Sequence, residues 1–96
     1  MYKIIDGRGT GKTGRLMLLA KENKGVIACS NPKAMEEKAH RYGIFGIDFI
    51  SYWNLITAMK DKVTYENIFV DEIDVFIQYM LAEVGTIQGY TLSIED

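Results

Sequence analysis

Short apolar runs alternate along this chain with segments whose apolar residues recur at helical spacing, and this alternation is the strongest constraint on its fold. Apolar strands separated by helices are typical of a mainly parallel sheet that is covered by helices on both faces. The sequence therefore predicts an α/β fold, a three-layer sandwich with a mainly parallel sheet of about five strands. The predicted strands are 2–5, 26–29, 47–50, 67–70 and 86–94, and a helix follows each of the first four.

Local signals mark where two of these helices begin and where one ends. Asn31 can accept hydrogen bonds from the free N–H groups of a helix, and Pro32 suits the first helical position because its missing N–H group is not needed there. Gly43 follows the second helix, where a left-handed residue commonly ends a helix. Ser51 is a candidate N-cap for the third helix.

The size of the chain predicts one domain, 1–96, with one core, because chains divide into several domains only well beyond this length. No stretch approaches the roughly 20 consecutive apolar residues of a membrane span. Lys3 and Asp6 interrupt the N-terminus before the apolar core of a secretory signal develops. Cys29 is the only cysteine, so no internal disulfide can form. We therefore expect an intracellular, cytoplasmic protein that does not engage a membrane.

Charge is divided unevenly between the two halves of the chain. Residues 1–42 carry nine Lys and Arg residues and four acids, a net charge of +5, whereas residues 43–96 carry two lysines and nine acids, a net charge of −7. Such a division suits a site that holds an anion with one half and a cation with the other. Chance drift of surface charge is the simpler alternative.

The segment 6–14, with the sequence DGRGTGKTG, lies between a predicted strand and a predicted helix. In a turn of this kind, backbone N–H groups point inward around a phosphate chain, and the helix N-terminus adds a positive dipole. Glycines let the backbone approach phosphate oxygens closely and adopt dihedral angles that side chains forbid. Lys12 can reach the terminal phosphates, and the Thr13 hydroxyl can bind Mg²⁺.

This segment resembles the Walker A motif of the P-loop NTPases, G-x-x-x-x-G-K-[ST]. Asp6 stands where that pattern has its first glycine, and Gly7 follows one place late. The resemblance implies ATP and Mg²⁺ as ligands. It assigns nucleotide binding to Gly7, Arg8, Gly9, Thr10, Gly11, Lys12, Thr13 and Gly14.

A second segment, 68–72, is an apolar run that ends in Asp71 and Glu72 and resembles a Walker B motif. The resemblance implies that Asp71 binds Mg²⁺ together with Thr13. It implies two catalytic residues: Glu72, which orients or deprotonates the attacking water, and Lys12, which stabilises the developing charge. The carboxyl edge of a parallel sheet is also where α/β proteins bind ligands. A plain acidic helix start is the alternative explanation for the two acids.

The adjacent glutamate is similar to the additional-strand, catalytic-glutamate division of P-loop NTPases, in particular to the cores of phage terminase large subunits, superfamily 1 and 2 helicases and Zot-like phage proteins. In that division a further strand, here 86–94, lies between the Walker A and Walker B strands and carries a polar sensor, for which Thr91, Ser93 and Gln88 are candidates. The resemblance implies a protein encoded by a phage or a mobile element and located in the host cytoplasm. Arg8 is a candidate phosphate contact and Arg41 a candidate to act in trans, and for each a solvated surface is the alternative.

Two hypotheses follow from these features. The first is a minimal P-loop protein that binds ATP and Mg²⁺ and hydrolyses ATP slowly or on stimulation by a partner. The second is a non-catalytic protein-binding module, such as a phage accessory protein or an inhibitor of a host ATPase, with a nucleotide-responsive or vestigial loop. The expected partners are a nucleotide and either another protein or further copies of the chain. Nucleic acid has weaker support, from Tyr52, Trp53 and the lysines of the first two helices.

Overall fold

Helices and strands alternate along the chain as predicted, in a computed structural model that describes residues 1–5, 7, 9 and 11–93. Four helices and three strands are formed in this part of the chain. In chain order they are α1 Lys12–Glu22, β1 Val26–Cys29, α2 Pro32–Arg41, β2 Asp48–Ser51, α3 Tyr52–Lys60, β3 Ile68–Val70 and α4 Ile73–Leu81.

Strand β1 is the centre of the sheet, which has the order β2-β1-β3 with both pairs parallel. Val26 of β1 is aligned with Asp48 of β2 on one side and with Ile68 of β3 on the other. All four residues of β1 are buried. Because the three strands run in the same direction, their carboxyl ends meet at one edge of the sheet.

Helices cover both faces of this sheet, which confirms the three-layer arrangement. Ile27 and Cys29 of β1 belong to a buried cluster with residues of α1 and α2, whereas Ala28 between them belongs to a cluster with residues of α3 and α4. The side chains of a strand alternate between its two faces, so β1 supplies core residues to both layers. The first cluster also contains Met17, Ala20, Ala39, Ile44, Ile47 and Phe69, and the second contains Tyr52 and Phe76.

The predicted helix boundaries are confirmed. The Asn31 side chain accepts a hydrogen bond from the Ala34 N–H group at 3.1 Å, with Pro32 as the first residue of α2. Ser51 Oγ accepts from the Asn54 N–H group at 3.0 Å at the start of α3. Gly43 follows α2 with a φ of 73°, a left-handed conformation that glycine adopts without steric cost.

The prediction of five strands is wrong, because the sheet of the described residues has three. Residues 2–5 form no strand. The ring of Tyr2 stacks on Phe69 of β3 with the ring centroids 6.3 Å apart, but 60% of Tyr2 remains exposed. The resemblance required the last strand to lie between residues 2–5 and β3. Because that strand is not formed, residues 2–5 lack the neighbour that the resemblance implies for them.

The predicted strand 86–94 is also not formed over residues 86–93, and Ile94 lies outside the described residues. The Gln78 side chain of α4 binds this segment at its start. Its amide nitrogen donates to the Gly85 carbonyl at 3.0 Å, and its oxygen accepts from the Ile87 N–H group at 2.7 Å. These bonds hold the start of the segment against α4, away from a strand ladder.

Val75 and Tyr79 are four residues apart on α4, a spacing that favours both as core residues, yet they are 41% and 47% exposed. Phe76 is buried instead, with its ring edge-on to Tyr52 of α3 at a centroid separation of 5.2 Å. The polar residues Asp74 and Gln78 lie one turn apart, and Phe76 is on the opposite side of α4, so the helix buries the side that faces away from them. Neither α4 nor any other helix in the described ranges is long and apolar enough to cross a membrane.

We predict that Gly25→Ala destabilises the fold. A Cβ atom at Gly25 would lie 2.5 Å from Phe69 Cε2 and 3.1 Å from the Asn67 carbonyl oxygen, so the core ring would have to move. Overpacking of this kind costs about 1–3 kcal/mol, measurable as a loss of free energy of unfolding in urea. Gly89→Ala is the matched control, because a Cβ there meets none of the described residues within 4 Å. Equal stability of the two variants would contradict the prediction.

Candidate functional site

The candidate site lies where α1 begins and where β3 ends. Both places are at the carboxyl edge of the sheet, since β3 is parallel to β1 and Thr13, near the start of α1, contacts Asp71 directly after β3. The Asp71 N–H group donates to the Ala28 carbonyl of β1 at 3.0 Å, which extends the pairing of β3 by one residue. The backbone ladder therefore sets the position of Asp71 next to the centre of the sheet.

The glycines of the predicted phosphate loop have open space around them. A Cβ atom at Gly7, Gly9 or Gly11 would meet none of the described residues within 4 Å. Gly9 and Gly11 have φ values of 75° and 78°, a backbone conformation that is sterically unfavourable for residues with a side chain. Of the predicted loop residues, Arg8 and Thr10 lie outside the described residues, as does Asp6 at the first motif position.

The first turn of α1 suits an anion. Gly11 is the N-cap residue, no side chain in the described ranges caps the helix, and its first turn contains no acidic residue. The N–H groups at a helix start lack partners within the helix and carry a partial positive charge. Lys12 and Thr13 are half-buried there. Gly14 follows beneath the Tyr42 ring, where a Cβ atom would lie 3.7 Å from Cε2 in ordinary contact.

Thr13 and Asp71, the two predicted metal ligands, are in contact. The Thr13 hydroxyl donates a hydrogen bond to Asp71 Oδ1 at 3.4 Å, across 58 positions of sequence. One group comes from the first turn of α1 and the other from the end of β3. The tertiary fold thus brings together the two segments that carry the Walker-like motifs.

The Asp71 carboxyl group is in an environment that disfavours its charge. Burial raises its pKa above the usual value of an aspartate, and the neighbouring Glu72 charge raises it further. The Thr13 hydrogen bond and the charges of Lys38 and Lys12 act in the opposite direction and offset part of the rise. The site therefore contains a carboxylate whose ionised form would be stabilised by a further cation.

Glu72, the second predicted acid, is exposed and has a left-handed backbone with a φ of 55°. It is the N-cap residue of α4, and its side chain makes no capping hydrogen bond in the described structure. The Asp71 carbonyl just before it accepts a hydrogen bond from the Tyr52 hydroxyl at 2.6 Å. The two acids are therefore adjacent in sequence but differ in surroundings, with Asp71 against α1 and Glu72 at the surface.

The other candidates identified in the sequence lie elsewhere. Gln88 and Thr91 line a cavity of about 660 Å³ between α4 and the segment 87–92, so they are not on a strand beside β3. Neither the described loop residues nor Asp71 and Glu72 line that cavity. Ser93 follows the lining residues in the same segment, which forms neither helix nor strand. Arg41 is an exposed residue at the end of α2.

Cys29 has the environment of a packing residue. Its side chain is 1% exposed, and burial raises the pKa of the thiol to about 11, with a smaller rise from the Asp71 charge and a lowering by the Asn31 backbone. A thiol with such a pKa is protonated at neutral pH and is a weak nucleophile. Cys29 therefore takes no part in the candidate chemistry.

Two residues near Asp71 were not assigned to the site from the sequence. Lys38 is one of the lysines that give weak support to nucleic-acid binding, yet its charge acts on the Asp71 carboxyl group. Tyr52 is named in the sequence analysis only as similar support, yet its hydroxyl binds the Asp71 backbone. Its place directly after β2, at the carboxyl edge of the sheet, was the available signal for Tyr52. No comparable signal in the sequence identified Lys38.

Among the described residues, no group of three or more His, Cys, Asp and Glu side chains is placed to hold a metal ion. Comparisons of the chain with protein-family models, with curated proteins and with solved structures find no match. What the described residues show is a small α/β domain with a three-stranded parallel sheet.

We predict that Asp71→Asn raises the free energy of unfolding at pH 7 in the absence of Mg²⁺. The raised pKa means that the folded state binds the Asp71 proton more tightly than the unfolded state does. The protonated Asp71 therefore stabilises the wild-type fold at low pH, and this stabilisation is lost as the pH rises through the pKa of the folded state. At pH 7 the ionised carboxylate is a net cost. Asparagine removes the charge and keeps an oxygen that can accept from Thr13.

The measurement is urea unfolding in EDTA at pH 7 and at about pH 3.5, below the usual aspartate pKa of about 3.9. The advantage of the asparagine variant should be largest at pH 7 and should shrink at the lower pH. Asp48→Asn, at an exposed aspartate that begins β2, is the control. If Asp71→Asn is less stable than wild type at pH 7, the ionised Asp71 carboxylate does not destabilise the fold and the prediction is wrong.

Proposed function

We propose that this protein binds ATP and Mg²⁺ through a minimal P-loop and hydrolyses ATP slowly or on stimulation by a partner. The observation that carries the proposal is the 3.4 Å hydrogen bond between Thr13 and Asp71. A hydroxyl at a helix start and a carboxylate at a strand end are the two protein ligands that P-loop NTPases supply to Mg²⁺. Their contact supports one site made from two motifs that are far apart in sequence.

The start of α1 supplies the part of the proposed site that binds phosphate. The open space around Gly7, Gly9 and Gly11 leaves room for phosphate oxygens next to the backbone. The first turn of α1 is proposed to bind them with its N–H groups and its positive dipole. Lys12, half-buried in that turn, is proposed to bind the terminal phosphates and to stabilise the charge that develops on them. Arg8 and Thr10 are proposed to complete the loop.

The residues present suit Mg²⁺ held jointly by protein and phosphate. Mg²⁺ prefers oxygen ligands and is commonly bound by one or two side chains together with substrate phosphates, so no larger cluster of acids is required. Thr13 and Asp71 are such oxygen ligands, and the burial that disfavours the Asp71 charge would be offset by a bound cation. When bound, Mg²⁺ would neutralise charge on the phosphate oxygens.

Glu72 is proposed to orient the attacking water or accept its proton. It is exposed at the same sheet edge as Asp71, which keeps its carboxylate accessible to water. Arg15 and Arg41, the arginines within the described ranges, are both exposed at the surface. An arginine supplied in trans can raise hydrolysis by about 10³–10⁵. We therefore expect slow turnover by the protein alone.

A second candidate function, a protein-binding module without catalysis, is favoured by the surface around α4. Val75, Tyr79 and Met80 are each more than two-fifths exposed on a helix that is apolar on almost every side. A helix of this kind is normally buried, so its exposed side chains suit contact with another chain. In this case the loop would be nucleotide-responsive or vestigial.

We predict that Lys12→Ala abolishes binding of a non-hydrolysable ATP analogue in the presence of Mg²⁺. Removal of the ammonium group takes away the side-chain charge next to the terminal phosphates. Calorimetric titration should give micromolar affinity for wild type and no detectable binding for the variant. Lys33→Ala, at an exposed lysine in the first turn of α2, should bind as wild type does. Equal binding by wild type and Lys12→Ala would refute the phosphate-loop assignment.

We also predict that Glu72→Gln retains nucleotide binding and lowers turnover by about 10²–10⁴, the usual contribution of a general base. Phosphate release is the measurement, and Glu83→Gln, at an exposed glutamate beyond α4, is the control. The wild-type rate should be titrated against DNA and against protein concentration. Stimulation by either supports an ATPase that needs a partner, whereas a flat response near zero supports the protein-binding module.

A further inference from the structure

Besides the Thr13 contact with the Asp71 side chain, three hydrogen bonds made by backbone groups hold the turn that joins β3 to α4 in the described part of the chain. The Asp71 N–H group donates to the Ala28 carbonyl at 3.0 Å, and the Phe76 N–H group donates to the Glu72 carbonyl at 3.0 Å. Between these two, the Asp71 carbonyl accepts from the Tyr52 hydroxyl at 2.6 Å. The first two bonds belong to the strand ladder and to the helix. The third is the one that a side chain supplies.

Tyr52 is itself held firmly in place. It is the first residue of α3 and only 3% exposed. Its ring is edge-on to Phe76 at 5.2 Å and tilted against Tyr79 at 5.8 Å between centroids. A hydroxyl on a ring packed in this way can leave the Asp71 carbonyl only if the surrounding side chains repack. The contact therefore joins the start of α3 rigidly to the end of β3.

The backbone at Glu72 needs such support. A non-glycine residue in the left-handed region is strained and persists only where its surroundings hold it. The Asp71 carbonyl is part of the peptide unit that precedes Glu72. A hydrogen bond to that carbonyl fixes the plane of the peptide, and with it the direction in which the chain leaves Asp71.

We propose that Tyr52 is a positioning residue, whose hydroxyl holds the Asp71–Glu72 peptide so that Asp71 faces Thr13 while Glu72 remains at the surface. This inference rests on the proposed function for the roles of the two acids, but its geometric part concerns the protein without ligands. Tyr52 acts through the backbone and does not touch the reacting atoms. Its hydroxyl should therefore affect the geometry of the turn and the rate of hydrolysis more than the affinity for nucleotide.

Tyr52→Phe tests the inference, because it removes the hydroxyl and keeps the ring. We expect amide hydrogen exchange of Asp71 and Phe76 to quicken by about tenfold, since the Asp71 carbonyl loses its donor, while amides shared by β1 and β2 exchange as in wild type. Tyr79→Phe is the matched control: it removes a hydroxyl from the same aromatic group, but the bond to Asp71 comes from Tyr52.

Unchanged exchange at Asp71 and Phe76 would overturn the inference. So would an equal rise throughout the sheet, which marks a general loss of stability, or an equal rise in the Tyr79 variant. Because exchange is measured without nucleotide, these outcomes do not depend on the proposed function. Failure of wild type to bind the ATP analogue would refute that function alone.

In the hydrolysis assay, Tyr52→Phe should lower kcat about tenfold and change KM for ATP less than twofold, because the phosphate loop is intact. Because loss of folded protein by itself lowers the apparent kcat without a change in KM, the rate is expressed per folded protein, and the exchange of the β1 and β2 amides shows whether the fold is retained. An unchanged kcat in an active wild-type background would overturn the positioning role.

Discussion

The parallel pairing of β1 with both of its neighbours is the constraint on which the rest of the structure depends. β1 is buried along its whole length and supplies alternate side chains to the two core clusters, so all four helices pack around it. Its parallel register also brings the ends of all three strands to one edge. Every contact of the candidate site lies at that edge, including the bond from Asp71 to Ala28 that continues the ladder beyond β3.

At this edge the structure holds groups that a purely structural turn does not require. Asp71 lies partly buried beside the charged Glu72, at a cost to its ionised form, and Glu72 has a left-handed backbone. Perturbed carboxylates and strained backbone are both more frequent at functional sites than elsewhere. Thr13 and the charges of Lys38 and Lys12 compensate part of the cost from the opposite side. A phosphate-bound cation would complete the compensation, which is why the proposed ligand suits the residues present.

Local signals predicted local structure well. The side chains of Asn31 and Ser51 each cap the helix that they were expected to begin, because capping involves atoms only three residues apart. The predictions of the two terminal strands were wrong because a strand depends on a partner that is distant in sequence. Residues 2–5 and 86–93 have strand-like composition, but a strand forms only where a neighbour accepts its backbone, and Gln78 binds the later segment near its start. The buried face of α4 is centred on Phe76, opposite the polar residues Asp74 and Gln78, and not on Val75 and Tyr79.

The sequence by itself determined the alternation of helix and strand, the glycine loop before α1 and the acids after β3, since each depends on residues that are close along the chain. Only the tertiary structure decided that Thr13 meets Asp71, that Lys38 acts on the same carboxyl group and that Tyr52 binds its backbone. Those contacts join segments that are up to 58 positions apart. Their geometry depends on strand order and on how helices pack over the sheet, which no local pattern specifies.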